Sequence, residues 1–258
     1  IVGSRATRVD AMEKVTGQAR YGADAQVPGA LVGRVLRSPH AHARIVSIDT
    51  SRAEALPGVH AVVTSADLPE VPPDATELEK PARDRVLASD KVLFVGHPIA
   101  AVAARTATLA DQAISLIDVT YEVLPPVLDV LESMEPGAPI LHASLRTQSL
   151  GESADAPTNV AGHFREVKGD PEAGLAAADI VIEREFRSAM VHQGYIEPHT
   201  ATAVWTNDNA LTIYTTTQGS FAVRDHVAEL LKLPMSKVRI IPMEVGGAFG
   251  GKNRSFID

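Results

Sequence analysis

The strongest chemical signal lies near the end of the chain, in Glu244-Val245-Gly246-Gly247-Ala248-Phe249-Gly250-Gly251-Lys252. Glycine has no Cβ, so such a run can turn at positive φ and bring backbone N–H groups close to a ligand. Those donors suit an anion or a metal-bound oxygen. The run completes neither common nucleotide loop, although Gly246, Gly251 and Lys252 fit the first seven positions of a phosphate loop. A dinucleotide fingerprint needs G-x-G-x-x-G, which is absent. A phosphate loop needs Ser or Thr after the lysine, and Asn253 stands there. A second candidate is Gln218, in Thr216-Thr217-Gln218-Gly219, whose amide can both donate and accept. A third is His40 and His42, which share one face if the chain is extended there. No third ligand is near them, so a structural loop is the stronger reading.

These residues need elements to hold them. Ala30 to Leu36, Ile45 to Ile48, Val59 to Thr64, Val92 to Val95, Ile99 to Ala104 and Val119 to Leu124 read as strands. Thr50 to Leu56 reads as a short helix with a Thr or Ser cap, and Leu109 to Ile117 as a longer one. Residues 69–85 read as an exposed loop. Residues 126–168, rich in Pro, Gly, Ser and Asp, read as a connector across the surface. Asp170 and Pro171 start a short helix, and Ile180 to Phe186 reads as a strand. A hairpin follows over Thr200 to Trp205 and Leu211 to Thr216. Next come a helix over Phe221 to Leu231 and a strand over Val238 to Ile241 that feeds the glycine loop. That order puts Gln218 and the loop at the ends of neighbouring strands, where ligand sites gather in mixed α/β folds.

Composition narrows the classes. The chain has 258 residues and a formal charge of −8, which argues against nucleic acid as the main partner. Hydrophobic residues are 45% but aromatics only 4%, so Ala, Val, Leu and Ile must fill the core. No apolar run reaches membrane-span length, and no signal peptide opens the chain. The first residue is Ile1 rather than Met, which suggests a processed, trimmed or partial chain. There is no cysteine, so this chain offers no disulfide, thiolate metal site or iron–sulfur ligand. That composition fits a cytoplasmic protein.

The loop, taken with Thr216-Thr217-Gln218-Gly219, resembles the N-terminal part of the molybdopterin-binding subunit of the xanthine oxidase family of molybdenum hydroxylases. Three further stretches share the resemblance in the family's order. They are Arg8-Val9-Asp10 through Tyr21, Ser38-Pro39-His40-Ala41-His42-Ala43-Arg44-Ile45, and His192-Gln193-Gly194-Tyr195-Ile196-Glu197-Pro198. The resemblance implies an α+β chain. An a/b hammerhead domain with its lead-in would occupy 1–125, a connector 126–168, and the first portion of the molybdopterin-binding domain 169–258. It implies molybdopterin, or its cytosine dinucleotide form, carrying molybdenum. The metal would hold oxo, sulfido and hydroxo ligands, water would supply the oxygen and a hydride would pass to sulfur.

Gln218 matches the glutamine that contacts the apical oxo ligand, and Phe249 the phenylalanine beside the metal. Gly247, Ala248 and Gly250 line the same loop and would offer N–H groups. Iron–sulfur clusters and FAD are implied on partner subunits, together with the remainder of the cofactor domain. The family's general-base glutamate has no counterpart here, so this chain alone would be inactive. Glu197 and Glu244 match structural positions, and His192, His199 and His226 read as surface or hydrogen-bonded histidines. Asn253 replaces the acidic residue of purine hydroxylases. That shifts weight to an aldehyde, an N-heteroaromatic, an aromatic acyl-CoA thioester or carbon monoxide as the small-molecule substrate. The alternative is a non-catalytic scaffold fragment of such a complex. On the first reading, several segments of the second unit stand without partners.

Overall fold

A computed structural model describes residues 2–70, 79–143 and 145–253. In the first unit, β1 (Val32–Arg37), β3 (Val59–Thr64) and β5 (Pro98–Ala104) form an antiparallel sheet with β5 in the middle. A second antiparallel sheet places β2 (Ala43–Asp49) between β4 (Lys91–Val92) and β6 (Asp118–Val123). Pro98 has no N–H to lose from a ladder, and it sits at the first position of β5, where strands tolerate it.

Small side chains make the core. Ala100, Val102 and Ala104 of β5 meet Ala110 and Ala113 of α4 (Ala107–Ser115) and Ala53 of α2 (Ser51–Glu54). Alanine faces let helix and sheet backbones approach closely, which suits a chain poor in aromatics. A neighbouring cluster joins Ala43, Ala88, Val92 and Ile99, and Ile48 and Val119 pack against both clusters. Thr106 caps α4 by accepting from the Leu109 N–H at 3.2 Å.

Several expectations need correction. Thr50 holds the N-cap position of α2 as expected, but its hydroxyl donates to Glu54 and makes no capping bond; the Asp49 carboxylate accepts from the Ser51 N–H at 3.0 Å instead. The strand expected over Val92 to Val95 stops at Val92, because the Leu93 N–H turns to the Nδ1 of His97. The loop expected over residues 69–85 contains α3 (Glu79–Val86), while 71–78 lie outside the described residues. The 126–168 connector holds a small sheet, with β7 (Arg146–Ser149) between β8 (Glu152–Pro157) and β9 (Gly162–His163). Its two-residue hairpin turn puts Leu150 at φ 52° and Gly151 at φ 94°, a primed turn that Leu-Gly does not advertise. Residues 180–186 form no strand. Ile180, Ile182 and Phe186 are exposed there, because a strand needs a neighbour's backbone and none of the described residues supplies one.

The second unit is a three-stranded sheet ordered β10 (Ala201–Trp205), β11 (Leu211–Thr215), β12 (Val238–Pro242). β10 and β11 form the expected hairpin. β11 and β12 run parallel, Leu211 opposite Val238 and Thr215 opposite Pro242. Parallel neighbours require a crossover, and α6 (Ser220–Leu230) provides it. Val223 and Ala228 bury on the helix, Leu211 and Val238 on the strands. The C-terminal ends of β11 and β12 therefore lie side by side, one leading to Gln218 and the other to the glycine loop. α6 is the longest helix described, at 11 residues. No described helix is long and apolar enough to cross a membrane.

Candidate functional site

The two strand ends are stitched together. The Gln218 N–H and the Thr217 hydroxyl both donate to the Lys252 carbonyl, at 2.9 and 3.1 Å. In return the Gln218 side-chain Oε1 accepts from the N–H groups of Gly250 and Lys252, at 3.1 and 3.3 Å. Two donors on one oxygen decide which way the amide faces, since Nε2 cannot accept from them. Nε2 is then the outward donor, and Gln218 is exposed.

Within the loop, the Gly251 N–H closes a turn onto the Ala248 carbonyl at 2.8 Å. Phe249 sits at φ 49°, a strained region for a side chain of this size, and its ring is 74% exposed. Such strain is the kind of outlier that marks functional segments. The N–H groups of Gly247, Ala248 and Phe249 have no acceptor among the described residues. Gly250 differs from expectation. Its N–H is used by Gln218, so it orients the amide rather than facing a ligand. Ala248 itself is buried.

Behind the loop lies a charged anchor. Lys252 is fully buried, and its ammonium is 2.7 Å from Glu197 Oε2 and 5.2 Å from the centre of the Tyr195 ring. The same carboxylate oxygen accepts from the Gly246 N–H at 2.7 Å. Tyr195 and Glu197 leave no room for a side chain at Gly251 or Gly246. A Cβ on Gly251 would stand 2.7 Å from Tyr195 Cε1, and one on Gly246 would stand 2.8 Å from Glu197 Cβ. Lys252 is therefore enclosed and paired, not offered to a phosphate. His199 meets the Tyr195 hydroxyl at 2.9 Å, and His192 accepts from the Gly194 N–H at 3.0 Å. Both histidines serve local structure. In the first unit His42 meets the Pro125 carbonyl at 2.7 Å, while the His40 ring packs edge-on to Tyr121. The two rings thus serve separate contacts.

A cleft of about 640 Å³ lies on the other side of Glu244, lined by Glu13, Gln18, Arg20, Tyr214 and Met243. It contains neither Gln218 nor Phe249. Donors presented outward on a surface loop make an open site, which enclosure by a further wall would complete. The lead-in contacts at this cleft were not legible in advance. Lys14 reaches Glu244 across 230 residues of sequence, a separation that no local pattern signals.

The residues fit a cofactor with oxygen acceptors. One side-chain donor is aimed outward by two bonds, and three backbone N–H groups are left over on a loop whose glycines admit close approach. Comparisons with known proteins agree. Residues 16–125 match the family profile "Aldehyde oxidase and xanthine dehydrogenase, a/b hammerhead domain", and residues 153–258 match "Molybdopterin cofactor-binding domain". The carbon monoxide dehydrogenase large chain of Afipia carboxidovorans is 38% identical over 97% of this chain and 31% of its own length. The nicotinate dehydrogenase large molybdopterin subunit of Eubacterium barkeri is 34% identical over 98% of this chain and 56% of its own length. The solved structure of reconstituted CO dehydrogenase from Oligotropha carboxidovorans superposes with a TM-score of 0.79 at 34% identity. It covers 97% of this chain and 32% of that one. The chain thus spans a third to a little over half of these relatives.

Proposed function

The chain belongs to the aldehyde oxidase and xanthine dehydrogenase family of molybdenum hydroxylases, and on that premise we propose that it forms one wall of a molybdopterin site in an oxidoreductase. The substrate is an aldehyde, an N-heteroaromatic or a related small molecule; Asn253, in place of the acidic residue of purine hydroxylases, supports that range over purines. When bound, the molybdenum–pterin group, alone or as its cytosine dinucleotide, supplies a two-electron oxidation in which water provides the oxygen. Iron–sulfur and FAD groups on partner chains would take up the electrons, since this chain has no cysteine to ligate a cluster. In this reading the hammerhead unit spans 1–125, the connector 126–168 and the cofactor portion 169–258. The enzyme works in the cytoplasm.

This chain's residues bind and orient. Gln218 directs its Nε2–H toward an acceptor on the cofactor, and the N–H groups of Gly247, Ala248 and Phe249 add donors around it. Fixed donors need no reorganisation when charge develops, which is where their advantage over water lies. The exposed Phe249 ring excludes water beside them. Gly250 and Lys252 hold the amide in place. No residue of this chain is assigned as proton acceptor, so the chain by itself does not turn over. The single observation that carries the reading is the Gln218 amide, with Oε1 bound to the loop and Nε2 free.

The test is the intact mass and metal content of the native protein that carries this chain. A longer chain or a complex with about one molybdenum and one pterin per copy is expected. A species of this length alone, without metal or pterin, overturns the enzyme reading and leaves a scaffold.

A further inference from the structure

We propose that Lys14 is a positioning residue for the glycine loop, acting through Glu244 from the opposite end of the chain. The proposal rests on the reading of that loop as a cofactor wall. Lys14 belongs to α1 (Ala11–Val15) in the lead-in. Its ammonium donates to Asp10 at 2.7 Å and to Glu244 at 2.5 Å, and Arg8 donates to both carboxylate oxygens of Asp10. Lys14 is one-fifth exposed and Glu244 about one-third, so solvent screens the pair only partly. Two bonded carboxylates raise the Lys14 pKa above its ordinary value of 10.5, which keeps it charged at neutral pH.

The backbone adds a second attachment at the same point. The Glu244 N–H donates to the Arg20 carbonyl at 3.0 Å, and Tyr21 forms a parallel bridge with Glu244. The lead-in thus adds a single parallel bridge two residues past the end of β12. Gly22 seats it there, since a Cβ would come 2.0 Å from Thr200 Oγ1 and 2.9 Å from Thr216 Cγ2. Thr216 is two residues before Gln218, so the lead-in touches both strand ends that frame the site. Glu244 is where the loop leaves β12. Beyond it, among the described residues, the loop is tied to the rest of the fold at Gly246, Gly250 and Lys252, through Glu197, Thr217 and Gln218. Fixing Glu244 from the solvent side sets where that loop begins, while Glu197 sets it from within.

The experiment uses the full-length protein in its native complex, with amide hydrogen exchange read at Gly246, Gly250 and Lys252. Lys14→Met is expected to speed exchange at these three amides about tenfold, the scale of a lost charge-assisted bond. Amides of β1 to β6 should be unchanged, and molybdenum should be lost faster on dialysis. Lys14→Arg should restore most of the protection. Loop exchange equal to the unmodified protein, or faster exchange spread evenly over the chain, overturns the proposal. If the unmodified protein holds no molybdenum, the cofactor reading fails while the exchange comparison still decides the tether.

Discussion

Glu197 and Lys252 form an ion pair at 2.7 Å in which the lysine is fully enclosed and the carboxylate is 14% exposed. Lys252 is bound to Gln218 at both its N–H and its carbonyl, so the pair sets the strand end that carries the free amide. Burying two charges costs desolvation that their attraction only offsets; removing one partner leaves the other uncompensated. Glu197→Gln should therefore destabilise the second unit by about 3–5 kcal/mol, read from urea unfolding. The double variant Glu197→Leu with Lys252→Met should recover most of that loss. A Glu197→Gln midpoint equal to that of the parent protein contradicts this account.

Gln218→Glu separates fold from chemistry. A carboxylate still accepts from Gly250 and Lys252, so loop exchange should stay near that of the parent protein. The outward donor becomes an acceptor. Turnover by the full enzyme should fall about a hundredfold, the scale seen when one fixed donor is lost. Unchanged turnover with the loop intact removes Gln218 from the site.

Two glycines of the loop should respond differently. Gly251→Ala brings a Cβ against the Tyr195 ring and 3.1 Å from the Ala248 carbonyl. It should cost about 1–3 kcal/mol, and part of that cost should vanish in a Tyr195→Ala background. Gly250→Ala meets open space but sits at φ 90°, so its cost of about 1–2 kcal/mol should be independent of Tyr195. Thermal melts of the three single variants and the two double variants check the coupling.

The first unit should weaken in mild acid. His97 is buried, and that burial lowers its pKa below the ordinary 6.5. Its Nδ1 accepts from the Leu93 N–H and its Nε2 donates to the Asp84 carbonyl, an arrangement that needs the neutral ring. Because the unfolded chain takes the proton first, the stabilisation is whole above about pH 6.5. It is lost as pH falls from there toward the folded-state value. His142, also lowered by burial, acts in the same direction. Melting temperature should drop between about pH 6.5 and 5, and His97→Gln should flatten that slope. A slope unchanged by His97→Gln assigns the acid response elsewhere.

Local chemistry was legible in the sequence wherever a short-range rule applied. The hairpin of β10 and β11, the Asp170 cap with Pro171, the alanine-built core and the approach of Gln218 to the glycine loop all follow from spacing, capping and strand order. Residues 71–78 and 254–258 lie outside the described residues, so what the sequence suggests there stands alone. The apolar run over 180–186 shows the opposite case. Its alternation announces a strand, but a strand is a property of two backbones, and none of the described residues supplies the second.

By itself the sequence determined that the loop could follow a cofactor closely and that Gln218 could face it. Only the tertiary structure decided which atom of Gln218 is free, because that depends on two N–H groups 32 and 34 residues away taking Oε1. It alone removed the Gly250 N–H from the donors offered to a ligand. It alone enclosed Lys252 against Glu197 and brought Lys14 to Glu244, 230 residues apart. Those pairings join residues distant along the chain, and their physics lies in close approach and desolvation, which residue order does not encode.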